Sequence, residues 1–162
     1  MSENAEKLAD RLALEAQKCV EYFHAMPPKS WTVKIYTDGS QWDVRELLAH
    51  FVSAEAANTM LVENILLGGT GAPLEFDIDL FNEADVQKHG HLSIDELLER
   101  FINLRQSTVA MVQRMTSEDL SKVGRHPFLG QAKVEDIVKL IYLHDQIHLR
   151  DIKKALSQSS ID

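Results

Sequence analysis

Hydrophobic residues recur along the chain with helical spacing in four long segments, and no run beyond three or four residues alternates as a strand would. The first segment covers about residues 4–26, with Leu8, Leu12, Cys19 and Phe23 on one stripe, and Pro27-Pro28 ends it. The second begins at Asp43, where Asp43-Val44-Arg45-Glu46 has the form of a capping box. Its inner stripe is Leu47, His50, Ala54, Ala57 and Leu61, and Gly68-Gly69 supply a C-terminal stop. A third helix opens with another capping box, Ser93-Ile94-Asp95-Glu96, and carries a heptad-like row of Ile94, Leu97, Phe101, Leu104, Thr108, Met111 and Met115. The fourth, over about residues 133–156, places Val134, Ile137, Ile141, His144, His148, Ile152 and Ala155 on one side.

Four such helices predict an all-α protein, a four-helix bundle folding as a single domain over 1–162. The connections are unequal. Residues 29–42 join the first two helices, and Trp31-Thr32-Val33-Lys34-Ile35-Tyr36 has the pattern of a short extended piece. About 24 residues separate the second helix from the third, too many for a simple turn, which points to a crossover or a functional segment. Within it, residues 79–86 have the pattern of a short extra helix. There is no internal repeat, low-complexity run or domain linker.

Composition narrows the function classes. With 44% hydrophobic and 26% charged residues, the 162-residue chain has an ordinary globular balance. No stretch approaches the roughly 18 apolar residues of a membrane span. The acidic, polar start Met1-Ser2-Glu3-Asn4-Ala5-Glu6 is unlike a signal peptide, so a cytoplasmic location is the expectation. Net charge is −8 and the 17 basic residues are scattered, which argues against nucleic acid as a partner. Cys19 is the only cysteine, so no intrachain disulfide or CxxC motif exists; its place in a helical stripe predicts a buried structural thiol.

The chemistry rests on histidine. His144-Asp145-Gln146-Ile147-His148 puts two imidazoles on one helical face, on the row that should meet the core. His50 occupies the inner stripe of its own helix, and Ala54 and Ala57 beyond it leave space before the ring. Buried imidazoles without partners are costly. Three converging from two helices can bind a divalent metal and leave coordination positions open. His24 at the end of helix one, His89 and His91 in a polar loop, and His126 before Pro127 read as surface or loop residues.

Trp42-Asp43-Val44-Arg45-Glu46-Leu47-Leu48-Ala49-His50 resembles the second-helix signature of the DinB-like metal-dependent bundle proteins. His126-Pro127-Phe128-Leu129-Gly130, followed by Ile141-Tyr142-Leu143-His144-Asp145-Gln146-Ile147-His148-Leu149-Arg150-Asp151-Ile152, resembles their last loop and fourth helix. The resemblance implies an up-up-down-down bundle with a long crossover between helices two and three, and a zinc or nickel ion held by His50, His144 and His148. Relatives of this class include bacillithiol S-transferases and a mycothiol-dependent maleylpyruvate isomerase. It therefore implies a metal-dependent transferase or hydrolase, a small-molecule substrate, a low-molecular-weight thiol as co-substrate, and a homodimer. Such a metal lowers a thiol's pKa until thiolate dominates at neutral pH.

Several neighbours of the ligands are candidates for a pocket. Asp79, Phe81 and Asn82 lie where the crossover can fold over an open end of the bundle, and Trp42 and Phe128 each abut a ligand-bearing helix. Glu46 stands one turn from His50, as a capping residue or as an acceptor for that ring. No general base is identified. A di-iron carboxylate site lacks its two Glu-x-x-His pairs, Gly68-Gly69-Thr70-Gly71 lacks the lysine of a phosphate loop, and no Gly-x-Ser-x-Gly elbow is present. The competing reading is a non-catalytic metal-binding or stress-response protein, whose site would be closed by a fourth protein ligand.

Overall fold

The structure, a computed structural model, describes residues 2–159. Four long helices make the body: α1 (Glu3–His24), α2 (Val44–Leu66), α4 (Ile94–Gln113) and α6 (Val134–Ser159). Shorter elements join them: α3 (Ile78–Lys88), α5 (Ser117–Ser121), and an antiparallel hairpin of β1 (Val123–His126) and β2 (Gly130–Lys133). Both expected capping boxes form. Asp43 accepts from the Glu46 amide while Glu46 accepts from the Asp43 amide, and Ser93 and Glu96 do the same for α4. Each box satisfies two amide groups that a helix start otherwise leaves without partners.

The core falls into two clusters at opposite ends of the bundle. One joins Cys19 and Phe23 of α1, Leu47 and Phe51 of α2, Leu97 and Phe101 of α4, and Ile152 of α6. The other joins Leu8 and Leu12, Val62 and Ile65, Met111 and Val112, and Ile137 and Ile141. These memberships fix the helix directions: α2 and α4 run one way, α1 and α6 the other. The order is therefore up-down-down-up, a correction to the expected up-up-down-down. The physical reason is the crossover itself. A connection that must travel the length of the bundle joins parallel helices, so the parallel pair is the second and third long helices. α1 packs against α4 and α6, as does α2.

The crossover carries α3 along α2 and is fastened at both ends. Near its start the Ala72 amide donates to the Arg125 carbonyl at 2.8 Å, and the Arg125 amide donates to Thr70 at 2.9 Å. Gly71 sits there with φ of 86°, and a Cβ at that position would collide with the Arg125 backbone. At the far end Arg45 donates to the carbonyls of His89 and Gly90 at 3.2 Å each, and also to that of Leu92. The connection between α1 and α2 folds back on itself, with the Ile35 amide donating to the Trp42 carbonyl at 2.9 Å. The extended piece expected over Trp31–Tyr36 is thus a single bridge, Lys34 to Asp43. The hairpin before α6 leaves no pattern in the sequence, because its strands have four residues each, too short to show a period. Among the described residues no helix is long and apolar enough to cross a membrane.

Candidate metal centre

His50 lies in the second turn of α2 and is buried, while His144 and His148 lie one turn apart on the antiparallel neighbour α6 and are half-buried. The three rings cluster, with one nitrogen from each within 4.8 Å of the others. The Nε2 of His144 is 2.8 Å from that of His50 and 3.0 Å from that of His148. Ligands held ~2.0–2.1 Å from a zinc ion are about 2.9–3.4 Å from each other; the two short contacts are close to that spacing, and the three nitrogens are near enough to gather round one cation.

Proton counting gives the same answer. Tyr36 Oη lies 2.8 Å from Asp151 Oδ2 and 2.7 Å from His148 Nδ1. A carboxylate only accepts, so the single Tyr36 proton goes to Asp151, and Tyr36 accepts from His148 Nδ1–H. That leaves His148 Nε2 bare within the cluster. If His144 Nε2 carries a proton it donates to one neighbour and cannot accept from the other, and if it carries none it faces the bare His148 nitrogen, so with neutral rings one of the two short contacts always lacks a proton. Among the described residues His50 Nδ1 is buried with no hydrogen-bond partner at all. A divalent cation would satisfy the three facing lone pairs together.

Burial keeps His50 and His148 neutral. Burial, reinforced by the neighbouring His144 and His148, holds His50 well below the usual histidine range. Burial and then His144 lower His148 to about 3. Trp42 packs its indole on the His50 ring, with centroids 4.8 Å apart, and Phe51 lies about 6 Å from both His144 and His148. Among the described residues, no cysteine or carboxylate joins the three histidines as a fourth ligand.

Beneath the triad lies a buried ion network that sequence reading missed. Arg105 of α4 donates to both oxygens of Glu55 at 2.8 Å and to Asp145 Oδ2 at 2.6 Å, all three residues being nearly inaccessible. It also donates to the Leu12 carbonyl at 2.9 Å, so one guanidinium ties all four long helices together. Thr108 completes the set by donating to Glu55 Oε1 at 2.7 Å. Asp145 Oδ1 reaches within 3.7 Å of His144 Nδ1, linking the network to a candidate ligand. The only trace in the sequence is spacing: Glu55 stands four residues after Phe51 and Asp145 four after Ile141, so each carboxylate shares a helix face with an apolar residue.

A comparison with known families gives the chain its place: the sequence model of the DinB superfamily matches residues 11–152. The chain belongs to the DinB superfamily. It is 25% identical over 127 residues to a protein of Oceanobacillus iheyensis provisionally named a metal-dependent hydrolase, covering 78% of this chain and 71% of that one. Among solved structures it resembles YfiT from Bacillus subtilis, with a TM-score of 0.81 at 16% identity, over 99% of this chain and 90% of that one. YfiT is described as a probable metal-dependent hydrolase with an unusual four-helix bundle topology. A protein from Escherichia coli UTI89 matches with a TM-score of 0.75 at 12% identity, over 99% of this chain and 96% of that one. At such identities these structures speak for the DinB fold alone.

The remaining candidates in this DinB bundle are placed as follows. Trp42 joins the triad directly, and its indole N–H donates to Glu83 of α3 at 3.1 Å, so the crossover helix reaches the site through Glu83. Ser40 donates to the same carboxylate oxygen at 2.7 Å, which with Gln87 and Trp42 keeps Glu83 ionised. Asp79 is exposed in the first turn of α3, Phe81 packs on Phe76 with centroids 5.4 Å apart, and Asn82 is half-buried beside it in sequence. Phe128 is 77% exposed at the hairpin turn. Among the described residues no hydrogen bond or ring contact joins Asp79, Phe81, Asn82 or Phe128 to the triad. Glu46 is occupied by its cap and by Lys34, not by His50.

His126 departs from its surface reading. It is buried, its Nδ1 accepts from the amides of Phe128 and Leu129 at 3.0 and 3.2 Å, and its Nε2–H therefore donates to Asn58 Oδ1 at 3.0 Å. The proline after it obscured this role, because His-Pro in isolation reads as an exposed turn. The ring closes the hairpin turn and pins it to α2. Burial, then the neighbouring His144, lowers its pKa.

Proposed function

We propose that this protein is a metal-dependent enzyme in which His50, His144 and His148 hold a zinc or nickel ion that takes up a low-molecular-weight thiol for transfer to a small electrophilic substrate. The observation that carries the reading is the convergence of three Nε2 atoms with no fourth protein ligand among the described residues. Three imidazoles leave at least one coordination position for an exogenous group, as catalytic sites do and structural sites do not. Such an ion, when bound, supplies Lewis acidity and favours the anionic form of a nucleophile beside it.

The chain's own residues do the rest. Tyr36 holds the His148 ring with Nε2 bare, and Trp42 seals one side of His50. The choice of a thiol over water is supported by the state of the nearby carboxylates. Asp145 is paired with Arg105, Asp151 accepts from Tyr36, Glu46 caps α2 and Glu83 holds Ser40 and Trp42. A divalent ion brings bound water only to a pKa of about 7, so hydrolysis gains from a free carboxylate beside it, whereas a coordinated thiol is deprotonated outright. The hydrolase names of the relatives favour water as the second reading.

Cobalt substitution decides between them. A thiolate on cobalt produces a near-ultraviolet charge-transfer band, so titration with several small thiols is expected to raise that band in the native triad and not in His148→Ala. A cobalt spectrum that responds to carboxylates and hydroxide but to no thiol would exclude thiol transfer and leave the hydrolytic reading.

A further inference from the structure

The three candidate ligands differ in what stands behind them. His50 Nδ1 has no partner, His144 Nδ1 is 3.7 Å from Asp145 Oδ1, and His148 Nδ1 is held at 2.7 Å by Tyr36 Oη. Only His148 has a hydrogen bond whose direction is dictated. Asp151, one turn further along α6, is the origin of that direction, since its carboxylate takes the tyrosine proton at 2.8 Å.

We propose that Tyr36 and Asp151 form a tautomer clamp: a pair of positioning residues that fixes His148 as its Nδ1–H form before any metal arrives, so that Nε2 is always the ligating atom. This deepens the proposed metal site and rests on it, but the clamp acts in the metal-free protein too. Free imidazole mildly prefers the Nε2–H form, in which the nitrogen needed for the metal carries a proton. A ring obliged to change tautomer on each binding event loses part of its affinity to that change. The clamp removes the change at His148, making it the anchor to which His144, a turn away, is then added.

The clamp also explains a feature of the connection between α1 and α2. Tyr36 lies on a segment that the Ile35–Trp42 backbone bond folds back over the bundle end. One short segment thereby delivers Tyr36 behind His148 and, at its end, Trp42 onto the face of His50. Two ligands from different helices are positioned by one loop.

Selective ¹⁵N labelling of histidine with two-bond proton correlation reads tautomers directly, in metal-free protein at pH 7.5. The expected result is an Nδ1–H pattern for His148 in the native chain. Tyr36→Phe keeps the ring and removes the acceptor, and is expected to shift His148 towards Nε2–H. Asp151→Ala frees the tyrosine proton to point at Nδ1, and is expected to give Nε2–H although Tyr36 is still present. Tyr36→Phe should also weaken zinc binding about 10–100-fold in competition with a chelator, the usual effect of losing a partner behind a ligand. Near-native melting of each variant confirms that the fold is intact. An Nε2–H pattern for His148 in native metal-free protein, or an unchanged zinc affinity in Tyr36→Phe, overturns the clamp. If native protein shows the Nδ1–H pattern yet binds no zinc or nickel, the clamp stands and the metal reading fails.

Discussion

Single side chains decide whether this bundle holds together at its middle. Arg105 is fully enclosed and neutralises two carboxylates while bonding to a backbone carbonyl. Replacing it by methionine keeps the volume but leaves Glu55 and Asp145 unpaired in a dry interior. We expect Arg105→Met to cost about 3–5 kcal/mol, because a buried pair broken on one side strands the other charge. Urea unfolding measures this, and a loss under about 1 kcal/mol would mean that water reaches the network. At this scale the histidines were legible because an imidazole on an apolar stripe is conspicuous. Arg105 was not: one charged residue in a row of mixed neighbours looks solvent-facing until its partners on other helices are known. Cys19 is buried, as its stripe implied, and burial raises its thiol pKa far above the usual range, which leaves it inert.

For whole elements, periodicity read the helices of ten residues or more well and the strands poorly. The caps at Asp43 and Ser93 form where the motifs stand, and α3 extends only slightly beyond its expected span. In α4 the expected row is buried at Leu97, Phe101, Thr108 and Met111, while Ile94 and Leu104 are half-buried and Arg105 lies inside instead. Leu97→Ala and Phe101→Ala should each cost on the order of 2–5 kcal/mol in urea unfolding, since both are fully enclosed at the Phe51 end of the core. The strands before α6 escaped notice because four residues do not make a period. Helix direction was equally hidden. It depends on which ends meet in the core, and the length of the crossover was its only trace in the sequence.

On the scale of the molecule, acidity should loosen the metal-free fold. His50 and His148 bind protons less readily when folded than in the unfolded chain, where the pKa is about 6.5. The unfolded state therefore takes up protons first as pH falls. Their contribution to stability is complete above about pH 6.5 and is lost progressively towards the folded value of about 3 for His148. The urea midpoint of metal-free protein should be flat from pH 8 to 7 and fall by pH 5; a midpoint that rises on acidification contradicts the assigned neutral rings. With the ion bound, a chelator at pH 8 should lower the melting temperature, by the equivalent of about 2.7 kcal/mol at a hundredfold excess of free metal over Kd. The triad draws its donors from points 94 residues apart in the chain. A bound ion is then a cross-link, closing a loop whose entropy in the unfolded chain is worth about 4–5 kcal/mol. Unlike a disulfide, this cross-link can be withdrawn without chemistry. It also sits at one end, so amide exchange should slow most around Phe23, Phe51 and Phe101 when metal is supplied, while the Leu12 and Ile137 end changes less. A cell short of the ion would hold the same bundle with one end unlatched.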